Sequence, residues 1–177
     1  MFIRGIQDKF KVKSGLKYLR EEMEKPPMPT DGKKGVASIG CIVDVDHFPK
    51  ADSFYELLEE FSLRPNAVKI VGYKKEYDKN SPYSIPMFSD RDLGWKGKIE
   101  NGYVQEFLDR DYDVLINYYE EDNLMMKLLS VKTSARIKVG LGSQDTKIND
   151  LILNTPLDDF KLFKDELKKY LKILNEI

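Results

Sequence analysis

The stretch "YDVLINYYEEDNLMMKLLSVKTSARIKVGLG", residues 112–142, decides the fold. Residues 112–119 are rich in Tyr, Val, Leu and Ile, which suit a buried strand. Residues 122–133 bring apolar side chains back at helical spacing, with Asp122 or Asn123 placed to cap them. Residues 135–142 return to strand character and end near Gly140 and Gly142. A strand, a helix and a second strand joined this tightly form a crossover, which makes the two strands parallel members of one sheet.

The same alternation extends in both directions. "GVASIGCIVDV" (35–45) and "NAVKIVGY" (66–73) read as strands, the first buried on both faces. Between them, "ADSFYELLEEFSL" (51–63) predicts a helix with Phe54, Leu57, Leu58 and Phe61 on one side. "SPYSIPMFS" (81–89) holds a short strand that Pro82 and Pro86 confine to an edge. A short helix is expected over 101–111 and a further strand over 149–154. The chain closes on a helix for which Thr155 is the expected cap and Pro156 the first helical residue. Phe160, Phe163, Leu167, Tyr170, Leu171 and Leu174 fall on its inner face.

The expected fold is therefore α/β, a three-layer sandwich around a mostly parallel sheet of about five to six strands, Rossmann-like or flavodoxin-like. Ahead of it, residues 1–25 predict a helical arm whose apolar stripe slips phase near Gly15. Residues 26–34, dense in proline and glycine, predict a linker, and 35–177 a single α/β domain.

Length and composition exclude several classes. A chain of 177 residues, 41% hydrophobic, buries an adequate core without metals or disulfides. Cys41 is the only cysteine, which rules out an internal disulfide or a cysteine-cluster zinc site, and its apolar setting predicts a buried thiol. The net charge of −1 gives the whole molecule no bias toward nucleic acid, and none is expected as a partner. No run approaches the roughly 18 apolar residues of a membrane span. Arg4, Asp8 and Lys9 interrupt any secretory core at the start, so the expected location is the cytoplasm.

The chemistry-bearing residues gather at one strand end. In "CIVDVDHFPKADS" (41–53), Asp44, Asp46 and His47, the only histidine, follow an apolar strand. In a sheet of this class ligands bind beyond the carboxyl ends of the strands, which makes this rim the candidate site. The Asp-x-Asp pair resembles that of haloacid dehalogenase-like phosphohydrolases, and the resemblance implies a divalent-metal-dependent phosphoryl transfer with Asp44 as nucleophile and Asp46 as acid and base. The chain departs from that pattern, with His47-Phe48 where the family has Gly-Thr and Leu141 where it has a late acid. The alternative is the solvated polar end of a strand. "VGLGS" (139–143) offers Gly140, Gly142 and Ser143, whose backbone amides suit an anion or simply a tight turn. One histidine cannot supply a multi-histidine metal site, and no glycine-rich nucleotide fingerprint follows the first strand. No metal and no cofactor are expected.

Residues 36–174, through "IGCIVD", "DRDYDVLINYY", "ARIKVGLG" and "LKKYLKILN", resemble a family of short bacterial proteins with no assigned activity. That resemblance implies the fold above and carries no catalytic residues. Residues 112–142 are also distantly similar to the first domain of heptosyltransferase-type glycosyltransferases, which bind their nucleotide sugar mainly in a second domain absent here.

The leading expectation is a small non-catalytic α/β protein that binds a protein or small-molecule partner. The second is an enzyme using the Asp44/Asp46 rim. The third rests on the N-terminal arm. Up to residue 20 it carries six Lys/Arg against the single acid Asp8, among Phe2, Ile3, Ile6 and Phe10. Such a helix suits weak contact with an anionic membrane through residues 2–20, or packing on its own domain or on a twin subunit in a homodimer.

Overall fold

The structure, a computed structural model, describes residues 2–142 and 145–177, with Phe2 and Ile3 described in backbone only. Six strands form one sheet: β1 (Ile39–Asp44), β2 (Val68–Tyr73), β3 (Met87–Phe88), β4 (Asp111–Tyr118), β5 (Ser134–Leu141) and β6 (Leu151–Leu153). Their order is β3-β2-β1-β4-β5-β6, and every neighbouring pair is parallel. β1 is the strand from which the chain builds first one way and then the other. Ile39 pairs with Val68 on one side and Val114 on the other. This is the doubly wound order of Rossmann sheets, and the three-layer expectation holds.

Burial of both faces follows from the alternation of side chains along each strand. Ile39, Cys41 and Val43 point into a core shared with Phe54, Phe163, Leu167 and Leu171. Ile42 points the opposite way, among Phe107, Leu128 and Leu129. Gly40 sits on that second face because a Cβ there would come within 3.1 Å of the Phe107 and Tyr112 rings. Helices α1 (Phe2–Glu24), α3 (Gly102–Leu108) and α4 (Leu124–Lys132) cover this face. The other carries α2 (Leu57–Glu60) and α5 (Phe160–Ile173).

The phase slip at Gly15 marks a docking point. α1 runs through it as one helix, and the missing side chain lets Leu93, Leu124 and Leu128 approach to 3.5–3.7 Å of where a Cβ would stand. Below it Leu19 is buried and Tyr18 and Met23 are half-buried against the same core. α1 thus packs on the domain through its second half, while residues 4–10 are exposed.

Two local expectations are corrected. Residues 51–63 form a 3-10 segment, Ala51–Glu56, followed by the single turn of α2. Phe54 and Leu57, three apart and fully buried, share one face at three residues per turn, which favours the tighter winding. Ser62, at φ 52°, then ends the segment. The last helix is capped by Asp159, whose carboxylate accepts from the Leu162 amide at 3.0 Å, and not by Thr155. The chain first turns through Pro156–Asp159, where the Asp159 amide donates to the Pro156 carbonyl at 3.2 Å. Thr155 is buried, and its hydroxyl makes no hydrogen bond among the described residues.

Candidate functional site

β1 delivers Asp44 to the carboxyl rim at the point where the strand order reverses, between β2 and β4. The chain then turns back over it. The Phe48 amide donates to the Asp44 carbonyl at 2.8 Å, and the His47 amide to the Asp44 carboxylate at 3.3 Å. A short carboxylate side chain that accepts its own downstream amides stabilises such a turn. Phe48 pins it from below, edge-on to Tyr118 at 5.1 Å between ring centroids and to Phe54 at 6.2 Å. His47 is thereby folded back so that Nδ1 lies 2.7 Å from Asp44 Oδ2.

The other ring nitrogen faces a residue that the sequence does not connect to it. Glu121, just past the end of β4, places Oε1 3.3 Å from His47 Nε2. The imidazole is held between a buried carboxylate and an exposed one. Around it a cavity of about 400 Å3 is lined by Asp44, Asp46, His47, Tyr73, Lys75, Asp90, Glu121 and Asn123. Tyr73 ends β2 and donates to Asp90 at 2.7 Å, while Asn123 is the cap of α4.

The electrostatics follow from this arrangement. The hydrogen bond to Asp44, and then that group's charge, raise the His47 pKa above the ordinary imidazole range. Burial raises the Asp44 carboxyl, with the His47 hydrogen bond working the other way. Asp46 points elsewhere. It accepts from Lys74 Nζ at 2.9 Å and from the Lys75 amide at 2.8 Å. Burial works to raise its pKa, but these two donors outweigh it and hold the carboxyl below the usual value.

The glycine turn stands apart from this cavity. β4 lies between β1 and β5, which separates them by two strand spacings, about 10 Å. Gly140 is pressed against Asn149, whose Nδ2 lies 2.5 Å from where a Cβ would be. Gly142 adopts φ 55° and its amide donates to the Leu153 carbonyl at 3.0 Å. Ser143 lies outside the described residues. Of the six residues singled out in the sequence, the rim cavity takes Asp44, Asp46 and His47. Asn123 was marked in the sequence only as a helix cap, and Glu121, Tyr73, Asp90 and Lys75 went unnoticed because their only local mark is a position at or just past a strand end or at the start of a short helical turn.

The arrangement can hold a proton or a cation. Asp44, His47 and Glu121 each offer a ligand atom within 4.8 Å of the others. The connection after β1 enters a 3-10 segment through Lys50, rather than a glycine turn into a long helix that would aim amides at a pyrophosphate. No helix among the described residues is long and apolar enough to cross a membrane.

No curated protein and no solved structure matches the chain. Residues 11–174 match the profile of a family of unknown function, DUF6913, with the sheet, the rim cavity and all but the start of α1 inside the matched span. The chain belongs to this DUF6913 family.

Proposed function

We propose that the protein is a small α/β binding protein whose ligand occupies the rim cavity, and that the ligand is a divalent cation. The observation that carries this reading is the His47 ring fixed between Asp44 and Glu121 where the strand order reverses. Metal-binding histidines commonly present one ring nitrogen to the ion while the other donates to a carboxylate. Asp44, buried behind the ring, has the place of that orienting carboxylate. His47 Nε2 and Glu121 then face the cavity as the ligating pair, and four carboxylates against His47 and Lys75 make the lining favourable to positive charge. Binding must displace the Nε2 proton, so it strengthens as pH rises through the elevated His47 pKa.

Calorimetric titration with Mn2+ and Zn2+ tests this directly. Saturable binding, lost in His47→Ala and weakened in Asp44→Asn, supports the reading. Failure of the natural sequence to bind either ion at millimolar concentration overturns it.

The phosphoryl-transfer reading of the same rim is weaker, because Asp46, its acid and base, is engaged by Lys74 and the Lys75 amide. Magnesium-dependent turnover of a phosphoester, lost in Asp46→Asn, would restore it. The resemblance of residues 112–142 to the first domain of heptosyltransferase-type enzymes is one of sequence alone, and it would contribute a scaffold, not a donor-sugar site, to this reading.

A further inference from the structure

We propose that the outward face of α1, with Trp95 beside it, docks on the surface of an anionic lipid bilayer. The first twenty residues hold six of the 29 Lys/Arg and one of the 30 Asp/Glu, so they carry +5 while the rest of the chain carries −6. That charge is concentrated on the side of the helix turned away from the domain. Gly15 and Leu19 face inward, whereas Lys9, Lys13 and Lys17 are exposed one turn apart on the opposite side. Apolar side chains interleave with them. Phe10 is 54% exposed, Leu16 44% and Ile6 40%.

Trp95 extends this surface. The amide of Lys96 donates to Ser14 Oγ at 3.0 Å, which lays the Trp95–Gly97 turn alongside α1. Trp95 is the only tryptophan and is 51% exposed. A basic helix face interleaved with Phe, Ile and Leu and flanked by an exposed Trp offers an anionic headgroup layer both charge and interfacial side chains.

Charge separates this occupant from the others. Two copies meeting face to face along α1 would bring the Lys9, Lys13 and Lys17 rows against each other. A nucleic acid would neutralise the lysines but leave Ile6 and Leu16 without an apolar partner. An anionic bilayer satisfies both kinds of side chain at once.

The test is co-flotation of the full chain with phosphatidylcholine vesicles, with and without phosphatidylserine. Expected are binding only to the serine-containing vesicles, loss of that binding as salt screens the charges, and a blue shift of Trp95 emission. Lys13→Gln with Lys17→Gln should weaken binding about 30-fold, as expected for two charges near such a surface. Phe10→Ser should abolish the blue shift while circular dichroism stays native, since the side chain is exposed. Equal binding to neutral vesicles overturns the proposal, as does no flotation at low salt. So does a concentration-dependent dimer, or retention by single-stranded nucleic acid, that is lost in the same lysine variants while vesicles are ignored.

Discussion

Arg136 Nη2 lies 3.0 Å from Glu176 Oε2, tying β5 to the segment that follows α5. The same guanidinium reaches Asp113 on β4 through Nε at 3.3 Å and the Gly35 carbonyl through Nη2 at 2.7 Å. Glu176 in turn accepts from the Gly35 amide at 2.9 Å and from Lys34 Nζ at 3.3 Å. Four distant parts of the chain meet around this Arg136–Glu176 pair, at the end of the sheet opposite the rim cavity.

Glu176→Gln should therefore lower stability by about 2 kcal/mol, since it removes charge-assisted hydrogen bonds from a buried partner of Arg136. Urea unfolding at neutral pH reads this as a lower midpoint with an unchanged slope. A midpoint equal to that of the natural sequence would show that the clasp contributes nothing.

The clasp also sets an acid limit. The Arg136 hydrogen bond, with the Gly35 amide and Lys34, depresses the Glu176 pKa to about 2 against the opposing effect of burial. A depressed carboxyl contributes stability that is complete above its unfolded value and is lost as pH falls toward the folded one. The natural protein should lose stability between about pH 4.5 and about pH 2. In Glu176→Gln the decline over that window should be shallower, and melting curves recorded across it would detect the difference.

At the rim, Asp44→Asn should bring the His47 pKa down toward the unperturbed value of about 6.5, because the Asp44 hydrogen bond is the largest contribution raising it. Glu121→Gln should lower it by less, since Glu121 acts only through its charge. Following the imidazole C–H resonance by NMR titration distinguishes the two. An unmoved titration in Asp44→Asn would mean that the 2.7 Å contact does not form in solution.

Gly140→Ala should destabilise the protein by about 1–3 kcal/mol. The new methyl would meet Asn149 at 2.5 Å. Asn149 is not free to yield, because its Oδ1 accepts from Asn117 Nδ2 at 2.7 Å, and Asn117 Oδ1 accepts from Ser130 Oγ at 2.7 Å. Displacing Asn149 would leave a fully buried amide unpaired. Thermal melts of Gly140→Ala, Asn149→Ala and the double variant should be non-additive, as neighbouring sites are when they share a partner.

Phe48→Ala should cost about 3 kcal/mol or more through the cavity left among Phe54, Tyr118 and Phe160. It should also loosen the turn that carries His47. Phe48→Leu, which keeps most of the volume, should recover much of the stability, and cation titration of that folded variant would show whether the aromatic ring positions the histidine.

The architecture was legible in residues 112–142 because the signals that specify it are local. Apolar runs bounded by helical spacing demand crossovers, and crossovers demand parallel strands covered on both faces. Pro86 shows the same economy, since its missing N–H places it just before β3 at the edge. The sequence likewise marked Asp44, Asp46 and His47 as the polar end of β1. It could not assign the cap of α5, since Thr155 and Asp159 are both competent caps and the choice depends on how Pro156 turns the chain. Nor could it separate Asp44 from Asp46, two residues apart on one strand end, of which one turns under His47 and the other toward Lys74. Glu121 joined the site only because β4 lies beside β1, which made neighbours of side chains far apart along the chain. Periodicity is a property of consecutive residues and fixes which elements form. Which carboxylate meets the imidazole is set by strand order and register, and those are decided only when the whole sheet packs.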